Sequence, residues 1–147
     1  MASHHGSCLC GSVRFAAELA KPEMHCCHCS LCRRWGGGPA FGVELAGPPR
    51  FEDTRTLKAY RSSDWAERLF CATCGTSVLW RSTDGHFHVV PVALLGDPAE
   101  LGLAAEIFID DKPGYYALAG TRPCLTGAET MALFAGDGDT GETEPEP

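Results

Sequence analysis

Nine cysteines occur among the 147 residues, and four of them fall within the seven positions 26–32. This segment contains Cys27, Cys29 and Cys32 in the spacing Cys-x-Cys-x-x-Cys. One backbone turn with this spacing can direct three sulfurs at a common point, where thiolates repel one another unless a soft cation lies between them. Zn²⁺ is the usual cation with such ligands. The segment is therefore a candidate metal site.

Two further cysteine pairs lie upstream and downstream of this segment. Cys8 and Cys10 precede Gly11, and a Cys-x-x-Cys turn with the pattern of a zinc knuckle runs from Cys71 to Cys74. Four cysteines plus three would give one closed site with four sulfurs and one site with three sulfurs and an open position. A closed site holds a fold together, whereas an open site can bind something else.

The elements that must position these cysteines are short strands, because apolar and polar residues alternate around each cysteine turn. Strands are predicted near residues 12–16, 24–27, 41–45, 50–52, 56–61, 76–81, 87–92 and 106–109. The knuckle then lies at the tip of a hairpin.

Helix signals in the sequence are few. Ser30 is a candidate N-cap for a short helix, which the run 36–39 of three glycines and a proline would end. One helical turn is predicted at 97–101 and another short helix at 130–134, and no helix longer than about two turns is expected. The sequence thus predicts a mainly β protein with little helix.

Composition predicts a single zinc-containing domain over residues 7–135, preceded by a flexible N-terminus (1–6). Residues 136–147 contain five acids and no base, so they are expected to be a disordered acidic tail. The net charge is −7, the arginines are scattered, and nucleic acid is therefore not an expected partner.

Location is also indicated by the sequence. No apolar run approaches the ~20 residues of a membrane span. The first residues lack the pattern of a secretory signal, which predicts a reducing, cytoplasmic compartment. There, clustered cysteines are expected to bind metal rather than to form disulfides.

Three motifs, C-x-C-G, C-H-C-x-x-C-R and F-C-x-x-C-G, occur here in this order. Together they resemble the glutathione-dependent formaldehyde-activating enzyme family, which also contains the centromere-protein-V group. The resemblance extends from about Ser7 to Tyr116. It includes a late loop at 111–116 that is similar to the family's, although Gly114-Tyr115 stands where the family often has Trp after Pro.

The resemblance implies a β-tent fold of small antiparallel sheets knit by zinc. It also implies the ligand sets: Cys8, Cys10, Cys71 and Cys74 on a structural zinc, and Cys27, Cys29 and Cys32 on a second zinc. The open position of the second zinc would take the thiolate of a small thiol such as glutathione, and the activity would be that of a carbon–sulfur lyase. In that reading Arg33 and Arg34 would offset the thiolate charge or pair with a substrate carboxylate.

Alternatives remain open at this stage. His28 or Cys26 could complete the second site, or the site could be empty, although strand alternation should turn Cys26 away into the core. His88 is expected to be a satisfied core histidine, and Cys124 a bystander outside both clusters. The rival function is a non-catalytic, zinc-stabilised binding module of the centromere type, but the acidic net charge argues against a chromatin binder.

Overall fold

The computed structural model describes residues 3–138, with side chains described through residue 135. Eleven strands and two α-helices are present in this part of the chain. The strands are β1 (Ser3–Ser7), β2 (Arg14–Glu18), β3 (Glu23–Cys27), β4 (Ala40–Glu44), β5 (Arg50–Phe51), β6 (Leu57–Arg61), β7 (Ala66–Cys71), β8 (Ser77–Ser82), β9 (His88–Pro91), β10 (Gly102–Ile107) and β11 (Cys124–Leu125). The helices are α1 (Ser30–Gly36) and α2 (Gly127–Gly138), and 3₁₀ turns occur at Val92–Leu95 and Ile109–Asp111.

The strands form two sheets. The smaller has the order β1-β2-β5, and the larger has the order β11-β10-β3-β4-β9-β8-β7-β6. Both sheets contribute to one buried core, in which Phe15 and Val13 meet Val43, Leu79 and Val90. The mainly β prediction is confirmed.

Most strand pairs are antiparallel, as expected, but β10 runs parallel to both β3 and β11. In the β3–β10 pair, Cys26 lies opposite Glu106 and Cys27 lies opposite Ile107. A parallel partner must come from a distant part of the chain, because the connection cannot be a tight turn. This pairing places the end of β10 directly beside the cysteine-rich segment.

The N-terminus is more ordered than its composition suggested. The expectation that residues 1–6 are flexible is wrong for residues 3–6, which belong to β1 and pair with β2 from Ser3 opposite Glu18 to Ser7 opposite Arg14. Gly6 makes this packing possible, because a Cβ atom there would lie 2.5 Å from the ring of Phe15. Residues 1 and 2 lie outside the described residues.

Helix α1 forms where predicted and ends at Gly37, which has a φ of 87°. The predicted N-cap is wrong by one residue: Cys29 caps the helix, and its Sγ accepts a hydrogen bond from the backbone N–H of Cys32 at 3.3 Å. The expected helical turn at 97–101 is absent. Asp97 has a φ of 52°, a left-handed conformation that does not begin a helix, and the 3₁₀ turn lies earlier at Val92–Leu95.

Helix α2 has 12 residues, so the expectation of no helix beyond two turns is wrong. It begins with a capping box: Thr126 Oγ1 accepts from the Glu129 N–H at 3.1 Å, and Glu129 Oε1 accepts from the Thr126 N–H at 2.8 Å. The helix extends through residue 138, so the predicted disordered tail does not begin at 136. The rest of that tail, 139–147, lies outside the described residues. Within residues 3–138, no helix is both long and apolar enough to cross a bilayer.

Candidate metal centres and cavity

Four cysteines from two distant segments converge at one end of the large sheet. The Sγ atoms of Cys8, Cys10, Cys71 and Cys74 all lie within 4.8 Å of one another. Cys8 Sγ is 3.7 Å from Cys10 Sγ, which is 3.9 Å from Cys71 Sγ. Four sulfurs placed tetrahedrally at 2.3 Å from a zinc ion would be about 3.8 Å apart. The sulfur positions therefore fit a Cys₄ zinc site.

Hydroxyl groups surround these sulfurs. Ser12 Oγ lies 3.1 Å from Cys10 Sγ and 3.3 Å from Cys71 Sγ, and Thr76 Oγ1 lies 3.1 Å from Cys74 Sγ. The hydrogen bond with Ser12 lowers the pKa of Cys71 to about 5, and that with Thr76 lowers the pKa of Cys74 to about 7. Both shifts favour the thiolate, the form that binds metal.

Three more sulfurs converge where β3 meets α1. The Sγ atoms of Cys27, Cys29 and Cys32 lie within 4.8 Å of one another. Hydrogen bonds from Cys27 and Cys29, together with the charge of Arg68, lower the pKa of Cys32 to about 3, whereas hydrogen bonding within the cluster raises the pKa of Cys27. The thiolate form is thus favoured at Cys32, and a soft cation bound by the three sulfurs would replace protons of the other thiols. This donor set fits zinc with a fourth position left for another ligand.

Arg68 adds a buried cation to this second site. Its side chain is buried, its Nη1 lies 3.7 Å from Cys32 Sγ, and its Nε donates to Ser62 Oγ at 3.1 Å. The guanidinium lies over the ring of Trp35, 5.1 Å from the ring centroid, which fixes its direction. Sequence reasoning grouped Arg68 with the scattered arginines. The available signal was a charged residue at an inward position of the apolar strand β7.

The three sulfurs and Arg68 line a cavity of about 760 Å³. Its other walls are mostly apolar, and none of the four sulfurs of the first site lines it in the part of the chain that the structure describes. The largest apolar side chains around it are Met24, Trp35, Phe41, Trp65, Trp80, Phe108 and Phe134. The second sulfur site therefore opens onto a space that can hold a small molecule, and the first site does not.

Comparison with known proteins agrees with the motifs. A family model described as glutathione-dependent formaldehyde-activating enzyme matches residues 3–111. The chain belongs to this family. The resemblance predicted from the cysteine motifs is confirmed.

Individual relatives of this family member extend the match. An uncharacterized lyase of Schizosaccharomyces pombe is 31% identical over 132 residues, covering 89% of this chain and 96% of that protein. A Halomonas elongata protein with the same family description is 33% identical over 89 residues, which is 51% of this chain and 53% of that protein. A crystal structure of a Rhodobacter sphaeroides protein superimposes with a TM-score of 0.56 at 27% identity, covering 68% of this chain and 99% of that one.

In this member of the formaldehyde-activating family, the central histidine of the C-H-C motif links the cysteine segment to β10 and to the loop that follows it. His28 is fully buried, with its Nε2 2.8 Å from Glu106 Oε1 and its Nδ1 2.7 Å from Tyr116 Oη. Arg122 donates to the other oxygen of Glu106 at 2.6 Å. Burial alone would raise the pKa of Glu106, but the hydrogen bonds from His28 and Arg122 lower it, so the group is a carboxylate.

Neither alternative fourth ligand joins the three sulfurs. Both ring nitrogens of His28 are engaged by Glu106 and Tyr116, and none of these three residues is among the described residues that line the cavity. Cys26 is fully buried, as strand alternation predicted, and burial raises the pKa of its thiol to about 12. The fourth position of the Cys27 site is therefore left to a group from outside the cluster.

Arg33, also part of the family motif, is bonded to backbone. Its Nε donates to the carbonyl of His28 at 2.9 Å, and its Nη2 donates to the carbonyl of Asp111 at 3.2 Å. Arg34 is exposed on α1, and neither arginine is among the described residues that line the cavity. Their contact with a substrate stays a prediction.

The remaining sequence predictions concern residues outside the two clusters. Cys124 is exposed in β11 and belongs to neither sulfur group. His88 is buried as predicted, but its Nδ1 has no hydrogen-bond partner among the described residues, so it is not the fully satisfied core histidine that was expected.

Proposed function

We propose that this protein is a zinc-dependent carbon–sulfur lyase that acts on the S-hydroxymethyl adduct of a small thiol, as in S-hydroxymethylglutathione. The observation that carries the proposal is the convergence of Cys27, Cys29 and Cys32 on the wall of a cavity of about 760 Å³. The family description names glutathione and formaldehyde, and the Schizosaccharomyces pombe relative is named a lyase. Both names support a thiol adduct as the substrate.

The proposed lyase reaction breaks one carbon–sulfur bond and releases one proton. In the lyase direction the bond from sulfur to the hydroxymethyl carbon breaks, and its electron pair goes to sulfur. The hydroxyl proton is released, and the electrons of the O–H bond complete the carbonyl of formaldehyde. A zinc ion held by Cys27, Cys29 and Cys32 would supply a position for the substrate sulfur and would stabilise its thiolate form.

The protein's own residues would supply the electrostatic environment. Arg68, 3.7 Å from Cys32 Sγ, places a fixed positive charge next to the sulfurs, where negative charge increases when the thiolate leaves. The apolar walls exclude water, which strengthens this interaction. We propose that Arg33 and Arg34 add positive charge from α1, with Arg33 acting from its bonded position beside the His28 carbonyl. A reducing compartment such as the cytoplasm suits a protein in which none of the nine cysteines forms a disulfide and seven are grouped as candidate metal ligands.

Cobalt substitution tests the proposal, because Co²⁺ bound to sulfur has visible charge-transfer bands. Adding glutathione to the Co²⁺ protein is expected to strengthen the sulfur-to-metal band saturably, and Cys32→Ser is expected to weaken that response. Formaldehyde consumption with glutathione should then exceed the spontaneous rate for wild type and fall to that rate for Cys32→Ser. Absence of a spectral response to glutathione and to other small thiols would refute an open second site and leave the non-catalytic binding module.

A further inference from the structure

One side of the cavity is built from aromatic rings. Trp65, Trp80 and Phe134, here called the aromatic wall, have ring centroids 5.3 Å (Trp65–Trp80), 5.5 Å (Trp65–Phe134) and 6.1 Å (Trp80–Phe134) apart. All three line the cavity, and all three are only partly buried. Apolar surface left facing a cavity in this way marks a place where a ligand can bury it.

The aromatic wall lies next to the second sulfur site. Arg68 on β7 is the direct cross-strand partner of Trp80 on β8, so their Cβ atoms are about 5 Å apart on the same face of the sheet. The other end of Arg68 approaches Cys32 Sγ at 3.7 Å. The Cys27 cluster and the aromatic wall therefore lie toward opposite ends of the Arg68 side chain and line the same cavity.

The polar lining of the cavity is a poor match for a peptide thiol. Glutathione carries two carboxylates and an ammonium group. Among the described residues that line the cavity, the charged side chains are Arg68, which already faces Cys32, and Asp97, and the other polar side chains are His25, Ser62, Ser63 and Ser77. Charged groups that enter an apolar space without partners lose affinity.

We infer that the site prefers an arylalkyl thiol, whose flat ring packs against Trp65, Trp80 and Phe134, over glutathione. This inference rests on the proposed function and specifies its substrate class. The ring would bury apolar surface on both partners and make edge or offset contacts with the aromatic wall. The bond changes are those given above, with the aryl-bearing sulfur as the leaving thiolate and formaldehyde as the other product.

Intrinsic fluorescence provides a direct measurement, because all three tryptophans of the chain line the cavity. The zinc-loaded full chain would be titrated with phenylmethanethiol, ethanethiol, glutathione and benzyl alcohol. We expect phenylmethanethiol to bind at least about 10-fold more tightly than ethanethiol or glutathione, because only it buries a ring. Equal affinities for the first three probes would overturn the inference.

Two neighbouring residues of α2 provide a matched pair of variants. Phe134→Ala removes one ring of the aromatic wall, whereas Leu133→Ala changes a side chain that is 57% exposed and does not line the cavity. Phe134→Ala is expected to remove most of the preference for phenylmethanethiol without changing the affinity for ethanethiol, and Leu133→Ala should preserve both. An equal loss for both thiols, or an equal effect of both variants, would contradict the inference.

The probes separate a failure of this inference from a failure of the proposed function. If no thiol binds better than its oxygen analogue, but benzyl alcohol still binds and Phe134→Ala weakens it, the sulfur site is refuted and the aromatic site stands. If ethanethiol and glutathione bind but the ring adds nothing, the aromatic site is refuted alone. Should Phe134→Ala fail to fold, Phe134→Leu, which keeps the apolar volume but removes the ring, gives the same comparison with a smaller fold-change.

Discussion

The two cysteine sites use the same ligand atom but are held in opposite ways. The first joins Cys8 and Cys10 to Cys71 and Cys74, and serine and threonine hydroxyls around the sulfurs support it. The second takes all its ligands from six consecutive positions of one segment, and buried side chains behind that segment hold it. The first site brings two distant segments of the chain together, whereas the second lies within a single turn.

This difference supports the proposal that the first site is structural and the second functional. A metal ion bound at the first site would close the chain over the 61 positions from Cys10 to Cys71, so its binding energy would contribute to folding. The three sulfurs of the Cys27 site lie on one segment that is held by contacts of His28, Arg33 and the N-terminus of α1, so a metal ion there would not have to join distant elements of the fold. Only this site lies on the cavity, as far as the described residues show.

The largest effect is expected from Cys74→Ala. Removing one of four ligands from the closed site should release the metal, and the melting temperature should fall by roughly 15 °C or more or cooperative unfolding should disappear. Circular dichroism melting and zinc content would measure this. Cys124→Ala is the matched control, because Cys124 is exposed and belongs to neither cluster. A stable Cys74→Ala protein would show that the first site does not fasten the fold.

A smaller but still large effect is expected from Glu106→Ala. The substitution leaves His28 and Arg122 without their carboxylate partner, and breaking such a buried pair costs about 3 kcal/mol. Urea unfolding would measure the loss. The second metal should also bind more weakly, because the turn that carries Cys27 and Cys29 loses its support.

The control for this variant is Glu67→Ala, which breaks the more exposed pair with Arg81. We expect it to cost less than about 1 kcal/mol, because solvent screens such pairs. Equal losses for the two variants, with metal affinity unchanged in both, would mean that Glu106 does not support the second site.

The smallest effect on stability is expected from Cys29→Ala. This variant should lose the second metal and keep the first, so metal content should fall by about half. Cys29 also caps α1 through its sulfur, and loss of an N-cap costs about 1 kcal/mol. Mass spectrometry of the native protein and thermal unfolding would test both statements. Loss of both metals together would remove the distinction between the sites.

The two cysteine clusters could be predicted from sequence, but the buried residues that contact the second cluster could not. Cysteine spacing is local, so it identified both clusters, and the family resemblance assigned the four distant cysteines to one site. The partners of His28 are 78 positions away at Glu106 and 88 away at Tyr116. They meet because β10 runs parallel to β3, and no short-range pattern encodes that pairing.

The length of α2 and the presence of β1 also differ from the sequence predictions, because composition was given more weight than local signals at these two places. Thr126 and Glu129 form a capping box that marks the start of α2, yet the acidic composition that follows suggested that helix would end early. Residues 3–6 have no apolar pattern, but their backbone pairs with β2. Strand pairing satisfies the backbone whatever the side chains are, so composition alone could not reveal β1.

The four cysteines of the first site come from two distant segments, so they do not become available at the same time during protein synthesis. The ribosome delivers five of the seven ligand cysteines before Cys71 and Cys74 emerge. All three cysteines of the Cys27 cluster are present by then, whereas Cys8 and Cys10 still lack two of the sulfurs of their group. A four-sulfur zinc site could therefore be completed only after Cys71 and Cys74 emerge, so the three-cysteine site could bind metal earlier in synthesis than the site that joins the two segments.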